Sequence, residues 1–263
     1  MKKLVIALAA LAGLTGSASA ADLAARPYTK APPMAAPAYS WTGFYIFGGG
    51  GGGIWSANGG VDVTGGPCII CTNTRTGGDG WFGTVGAGYD WQSAGWVFGI
   101  FGDGTFGSLK GNLGDASFPG GPVVGTVKME TAWAAGARVG YLVAPNVLSY
   151  VNGGYTGTYW SGSTLLSSFT GVPSGAHTDS FSTQGWFVGG GVENNLNIFG
   201  VNAPGWFMKT EYRAAYLDRK NLTERTDVGN LPLGADITFK PFVQTISTSL
   251  VYRFNWSGAP VRY

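Results

Sequence analysis

From about Gly80 to Phe254 the chain alternates apolar and polar positions with a period of two, the spacing of strands whose two faces meet different surroundings. Over 130–141, Thr131, Trp133, Ala135, Ala137, Val139 and Tyr141 fall on one face, while Glu130, Ala132, Ala134, Gly136, Arg138 and Gly140 fall on the other. The first set suits hydrocarbon and the second does not. With aromatic residues gathered at strand ends, the pattern predicts an all-β fold, an antiparallel up-and-down transmembrane β-barrel with lipid outside and a polar interior.

A first strand is expected from Trp41 through the run Gly48 to Gly53 as far as Trp55, followed by strands near 79–91, 95–108, 126–142, 147–161, 180–196, 205–217 and 237–254. That makes about eight, and barrels of this kind have an even number. Connections near 92–94, 144–146 and 197–204 are short or modest, whereas those near 57–78, 109–125, 162–179 and 218–236 are long and polar. Short turns facing the periplasm and long loops facing outward are the asymmetry such barrels show. A long loop has room for a further hairpin. In the fifth strand Leu148 and Tyr150 share a face with Asn152, and Val151 and Tyr155 share the other, so the pattern assigns neither face to the interior.

The chain begins with Lys2 and Lys3, an apolar run from Leu4 to Leu14 and small residues ending in Ala18-Ser19-Ala20, the pattern of a signal peptide over residues 1–20. Residues 21–39 are rich in Ala and Pro and read as an extended leader, either a solvated tail or a tether or plug at the barrel's inner mouth. Residues 40–263 are expected to form the barrel domain. Removal of the signal would take Lys2 and Lys3 and leave 14 basic residues against 14 acidic ones. A neutral chain argues against a nucleic-acid partner, which calls for a clustered basic face. Gly at 46 of 263 residues with 14% aromatic and only 11% charged residues excludes ordinary disorder, because so many aromatics build structure.

The charges that project inward on this reading are Asp90, Asp103, Lys128, Glu130, Arg138, Glu193, Lys209, Glu211, Arg213 and Arg253. An eight-stranded interior is only just wide enough for its own side chains, so these charges must pair. They form either a locked salt-bridge network or a narrow polar path whose pairs rearrange. The outward aromatics Trp81, Trp91, Trp96, Trp133, Tyr141, Trp186, Trp206 and Tyr216 are placed as girdles at the two membrane interfaces.

Cys68 and Cys71 sit in a loop with Gly65, Gly66 and Pro67. After export a disulfide pinning that loop is the expected state. A redox pair would want an adjoining helix N-terminus, and a metal would want further ligands. His177, the single histidine, lies beside Asp179 and Ser180; a catalytic relay would have to use it, and a solvated loop histidine is the plainer reading. The run Gly48 to Gly53 matches a dinucleotide-binding pattern trivially, but no helix signal follows it. No enzyme activity, cofactor or metal is expected.

The leader ending in Tyr39-Ser40-Trp41-Thr42-Gly43-Phe44-Tyr45, the segment from Gly185 to Glu193, Lys209-Thr210-Glu211-Tyr212 and the strand end Leu250-Val251-Tyr252-Arg253-Phe254 resemble the small OmpA-like outer-membrane β-barrel proteins of alphaproteobacteria, the porin-family or outer membrane immunogenic proteins. The resemblance implies an eight-stranded barrel in the outer membrane of a Gram-negative bacterium, in contact with lipid and lipopolysaccharide. It also implies insertion by the outer-membrane assembly machinery, which reads a terminal aromatic strand such as the one ending at Phe254. The expected role is structural support of the envelope and display of surface loops, with a narrow porin-like channel as the alternative and a lipid-modifying barrel as a third. The six-glycine run and the Cys68/Cys71 pair depart from the family's usual pattern.

Overall fold

The computed structural model describes residues 40–66 and 68–254, without the side chains of residues 68–74. The signal peptide, the leader and residues 255–263 lie outside the described residues, as do the side chains of Cys68 and Cys71 that bear on the disulfide.

Long strands dominate: β1 (Gly43–Val63), β2 (Cys68–Ser93), β3 (Trp96–Asp115), β4 (Val123–Ala144), β5 (Val147–Trp160), β6 (Ser163–Ser167), β7 (Pro173–Thr178), β8 (Phe181–Asn195), β9 (Trp206–Leu217), β10 (Lys220–Thr226) and β11 (Pro232–Arg253). Eight of them form a closed ring in the order β1-β2-β3-β4-β5-β8-β9-β11. Antiparallel pairing of β1 with β11, from Tyr45 opposite Arg253 to Val63 opposite Ala235, closes it. Closure leaves no free sheet edge, which a barrel in hydrocarbon requires.

The expected strands are present but several run well past their predicted ends. β2 has 26 residues and β4 has 22, whereas about ten suffice to cross a bilayer. Most of what reads as long polar loop is therefore barrel wall. The segments 162–179 and 218–236 are not loops but hold β6, β7, β10 and the start of β11. β5 gives way to β6, β7 to β8 and β9 to β10 across gaps of two residues, and beyond those gaps β6 pairs with β4, β7 with β10, and β10 with β11. The wall thus continues as an extension at the long-loop end. Ser and Gly in these segments dilute the two-residue alternation, which is why the sequence pattern misses them.

The six-glycine run lies within β1. A Cβ on inward-facing Gly51 would collide with the Ile246 carbonyl oxygen of β11 and stand 2.7 Å from the Ser247 Cα, so glycine here permits a close approach of the two closing strands. At the short-turn end a single turn of 3-10 helix over Leu196–Phe199 links β8 to β9, stopped by Gly200 in the left-handed region (φ 76°).

Candidate functional site in the barrel lumen

Period-two facing carries the predicted inward charges Arg138, Glu193, Lys209, Glu211, Arg213 and Arg253, together with Asp90 and Asp103, into the lumen, where all but partly exposed Arg213 are buried. They assemble into two clusters, each with two cations and two anions. In the first, Arg138 donates through Nε and Nη2 to the two oxygens of Asp90 (3.0 and 2.5 Å) and through Nη1 to Glu193 (3.0 Å). Arg253 donates to Glu193 Oε1 from Nε (2.9 Å) and Nη2 (2.7 Å), lies 2.8 Å from Asp90, and reaches the Trp41 carbonyl at 3.1 Å. The two guanidiniums and two carboxylates form a neutral square, the arrangement in which mutual attraction offsets desolvation.

In the second cluster Arg213 grips Asp103 in a two-pronged contact (3.0 and 2.7 Å) and lies 2.5 Å from Glu211, where its Nε is close enough to pair but not aligned as a hydrogen bond. Glu211 accepts from the Tyr150 hydroxyl (2.7 Å) and the Asn152 amide (2.8 Å). Lys209 stands at the 4.0 Å margin of an ion pair with Glu211, and its ammonium lies 3.3 Å from the centre of the Phe47 ring.

Aromatic rings sheathe every one of these cations. Arg138 lies over Tyr45 and Tyr150, Arg253 over Trp41 and Tyr45, and Arg213 between Phe101 and Phe187. The sheath excludes water and adds cation–π attraction. These rings are the contributors that the sequence reading did not single out. The signal was present in β9, where Phe207 shares a face with Lys209 and Glu211. The fifth strand, left unassigned by pattern, turns Leu148, Tyr150 and Asn152 inward and leaves Val151 and Tyr155 exposed.

Lys128 and Glu130 do not join the lumen. The register of β4 shifts between Met129 and Thr131 against β5 and opposite Phe106–Leu109 of β3. An irregularity of this kind reverses which side each later residue faces. Met129 is therefore buried, while Lys128 and Glu130 pair at 2.9 Å on the outside with about a third of each side chain exposed.

The interior is also not polar throughout. Toward the long loops it is filled by apolar side chains, with Trp55, Trp160, Phe181 and Phe239 at the centre. Trp160 stacks on Phe181 at 6.1 Å and meets Trp55 and Phe239 edge-on at 5.3 and 5.2 Å. A cavity of about 60 Å3, lined by Thr84, Asp103, Thr156, Lys209, Glu211 and Arg213 among others, lies within the lumen. It has room for a few waters.

On the outside, Trp81, Trp91, Trp96, Trp133, Tyr141, Trp186, Trp206 and Tyr216 are all exposed. Trp96 packs on Tyr141 and Trp206 on Tyr252 toward the short turns, while Trp186 packs on Tyr216 and Trp133 on Tyr155 toward the long loops. Ten residues separate Trp81 from Trp91 and Trp206 from Tyr216. At about 3.3 Å per residue and a tilt of about 40°, the two bands stand about 25 Å apart, the height of an outer-membrane barrel's apolar belt.

His177 lies on β7 rather than in a loop. Its Nδ1 is 2.9 Å from Asp227 and its Nε2 is 3.8 Å from Asp179, which itself pairs with Arg225. Both ring nitrogens face carboxylates, an arrangement that leaves neither aimed at a serine hydroxyl. Among the described residues no group of His, Cys, Asp and Glu gathers to hold a metal.

A family model described as outer membrane protein beta-barrel domain matches residues 6–254. No curated protein matches the chain. Among solved structures it is similar to the outer membrane protein OprG from Pseudomonas aeruginosa, at 9% identity over 81% of this chain and 97% of that one, with a TM-score of 0.51. Other similar structures are the outer membrane protein AlkL (16% identity, 90% and 99% covered, TM-score 0.42) and Neisserial surface protein A (13%, 81% and 98%, TM-score 0.39). Likeness at such identities is one of fold.

Proposed function

The chain belongs to the outer membrane protein beta-barrel domain family, and on that premise we propose that it is a non-enzymatic structural barrel of the small OmpA-like kind. It supports the envelope of a Gram-negative bacterium and holds the long-loop extension on the cell surface. Its exposed aromatic bands sit at the two membrane interfaces, and outer-membrane lipid and lipopolysaccharide are its surroundings. The observation that carries this reading is the filled lumen: two neutral charge clusters sheathed in aromatic rings, with an apolar plug toward the long loops. A wall locked on both its inner layers serves rigidity better than transport.

The cavity beside Asp103, Lys209, Glu211 and Arg213 favours one second reading, a narrow path for ions that opens when the second cluster rearranges. Lys209, the least tightly paired of its cations, would be the moving part. The two readings part in the cell. Deleting the gene in its own host is expected to raise sensitivity to detergent, and both wild-type protein and a Lys209→Met variant are expected to restore resistance. Unchanged detergent sensitivity together with reduced uptake of small solutes would overturn the structural reading.

A further inference from the structure

Among the described residues, the interior of the long-loop extension buries carboxyls and no Lys or Arg. Glu224 of β10 is fully buried with both oxygens lacking a donor, and Asp115 at the end of β3 is 1% exposed with its Oδ2 likewise lacking one. Asp115 Oδ1 is occupied by the Ser117 amide and hydroxyl. The remaining acids packed nearby are satisfied by neutral hydroxyls: Asp236 of β11 accepts from Thr64, and Asp62 of β1 accepts from Thr238. The neighbouring basic groups are engaged elsewhere, Arg225 with Asp179 and His177 with Asp227, and Glu224 pairs across β7 with neutral Thr178.

Two buried carboxylates without a cation repel each other in a low-dielectric interior, whereas one carboxyl and one carboxylate make a strong hydrogen bond. Leu113 of β3 and Leu222 of β10, each two positions before its acid on the same buried face, belong to one apolar core, so Asp115 and Glu224 enter the same interior from different strands. We propose that they share a single proton, which latches the β10 wall of the extension to the β3 wall as a pH-sensitive closure. The structure gives release a place to start. A cavity of about 260 Å3 adjoins Asp115, lined by Gly59, Val61, Thr76, Leu113 and Ile237 among others, and the buried Thr76 hydroxyl also lacks a partner. Loss of the shared proton leaves Asp115, which borders this space, facing a charged Glu224 and draws water in from the cavity, loosening the contacts between the walls.

Burial, followed by the charge of Asp115 and the hydrogen bond to it, raises the Glu224 carboxyl from its ordinary range to about 8. The folded form therefore holds the proton more tightly than the unfolded one does. The stability that the Glu224 proton confers is therefore full below the ordinary carboxylate range and is lost as pH rises through about 8.

The test is an NMR titration of the Glu224 side-chain carboxyl in the refolded chain in lipid, from pH 4 to 10. Amide exchange of the paired β7 and β10 residues is followed alongside, corrected for the intrinsic effect of pH. A Glu224 midpoint near 8, with at least tenfold loss of protection across it, is expected. A Glu224→Gln variant, neutral at every pH, is expected to keep its protection throughout. A midpoint between about 4 and 5 overturns the proposal, as does protection that stays flat in the wild type. Calcium chloride added at pH 6 is expected to change nothing; displacement of the proton by calcium would make the pair a cation site and overturn the latch. If the glutamine variant does not fold, the wild-type titration still decides.

Discussion

Replacing Arg138 by leucine removes the guanidinium that bridges Asp90 and Glu193 and leaves both carboxylates to Arg253. The three side chains that remain carry a net buried charge of −1 where the square was neutral. Breaking one member of a buried ion network costs about 3–5 kcal/mol, because the stranded charge is no longer compensated. Arg138 and its two partners are nearly inaccessible to solvent, so little screening reduces that figure. The assay is urea unfolding of the barrel refolded into phospholipid vesicles, followed by tryptophan fluorescence. At a slope of about 2–3 kcal/mol per molar, the midpoint is expected to fall by about 1–2.5 M. Adding Asp90→Asn restores neutrality, so the double variant is expected to lose less than the sum of the singles, with a coupling of about 1–3 kcal/mol. A single-variant loss below about 1 kcal/mol, or strict additivity, would refute the claim that the square acts as a unit.

Gly99→Ala places a Cβ against Asp90 Oδ1 and 3.2 Å from Arg138 Cγ, and is expected to destabilise by about 1–3 kcal/mol; Gly102→Ala, whose Cβ meets nothing nearer than 3.7 Å, is the control that should leave the unfolding midpoint in place. Lys128→Ala is expected to shift the same midpoint by under about 1 kcal/mol, since its pair with Glu130 is partly solvated. A loss as large as that of Arg138→Leu would put Lys128 back in the lumen. Trp160→Ala removes the centre of the apolar plug at about 3–5 kcal/mol. It is nevertheless expected to leave vesicles impermeable to small ions in a dye-release assay, because both charge clusters remain.

The fold and the charged half of the lumen were legible because one physical signal, alternation with period two, reports both pairing and facing. Lys209, Glu211 and Arg213 sit on one side of β9, and no other periodicity would have gathered them. The same signal misplaced Lys128 and Glu130, since one irregularity at Met129 reverses facing and leaves no mark in composition. It was silent in β1, where consecutive glycines carry no side chains to alternate. It also failed beyond the membrane belt. Trp55, Phe181, Leu222, Ile237 and Phe239 lie in or beside segments whose Gly, Ser, Thr and Asp content reads as loop, yet they form one apolar core. That core depends on β6, β7 and β10 completing the wall, a long-range pairing that local sequence does not display. That the Glu224 oxygens lack a donor is likewise visible only once β10 is placed in the extension, where Leu222 joins Leu113 of β3 in one core.

Paired charge and aromatic packing fill the lumen at two levels, and a structural barrel requires that together they close it. Single-channel recording of the refolded protein in a planar bilayer, with insertion shown independently by heat-modifiable gel mobility, tests it most directly. Inserted protein is predicted to give a flat baseline at moderate voltage in wild-type form. Discrete, reproducible current steps that change size when Arg138 or Arg213 is neutralised would contradict it and make the charge clusters the gate of a channel.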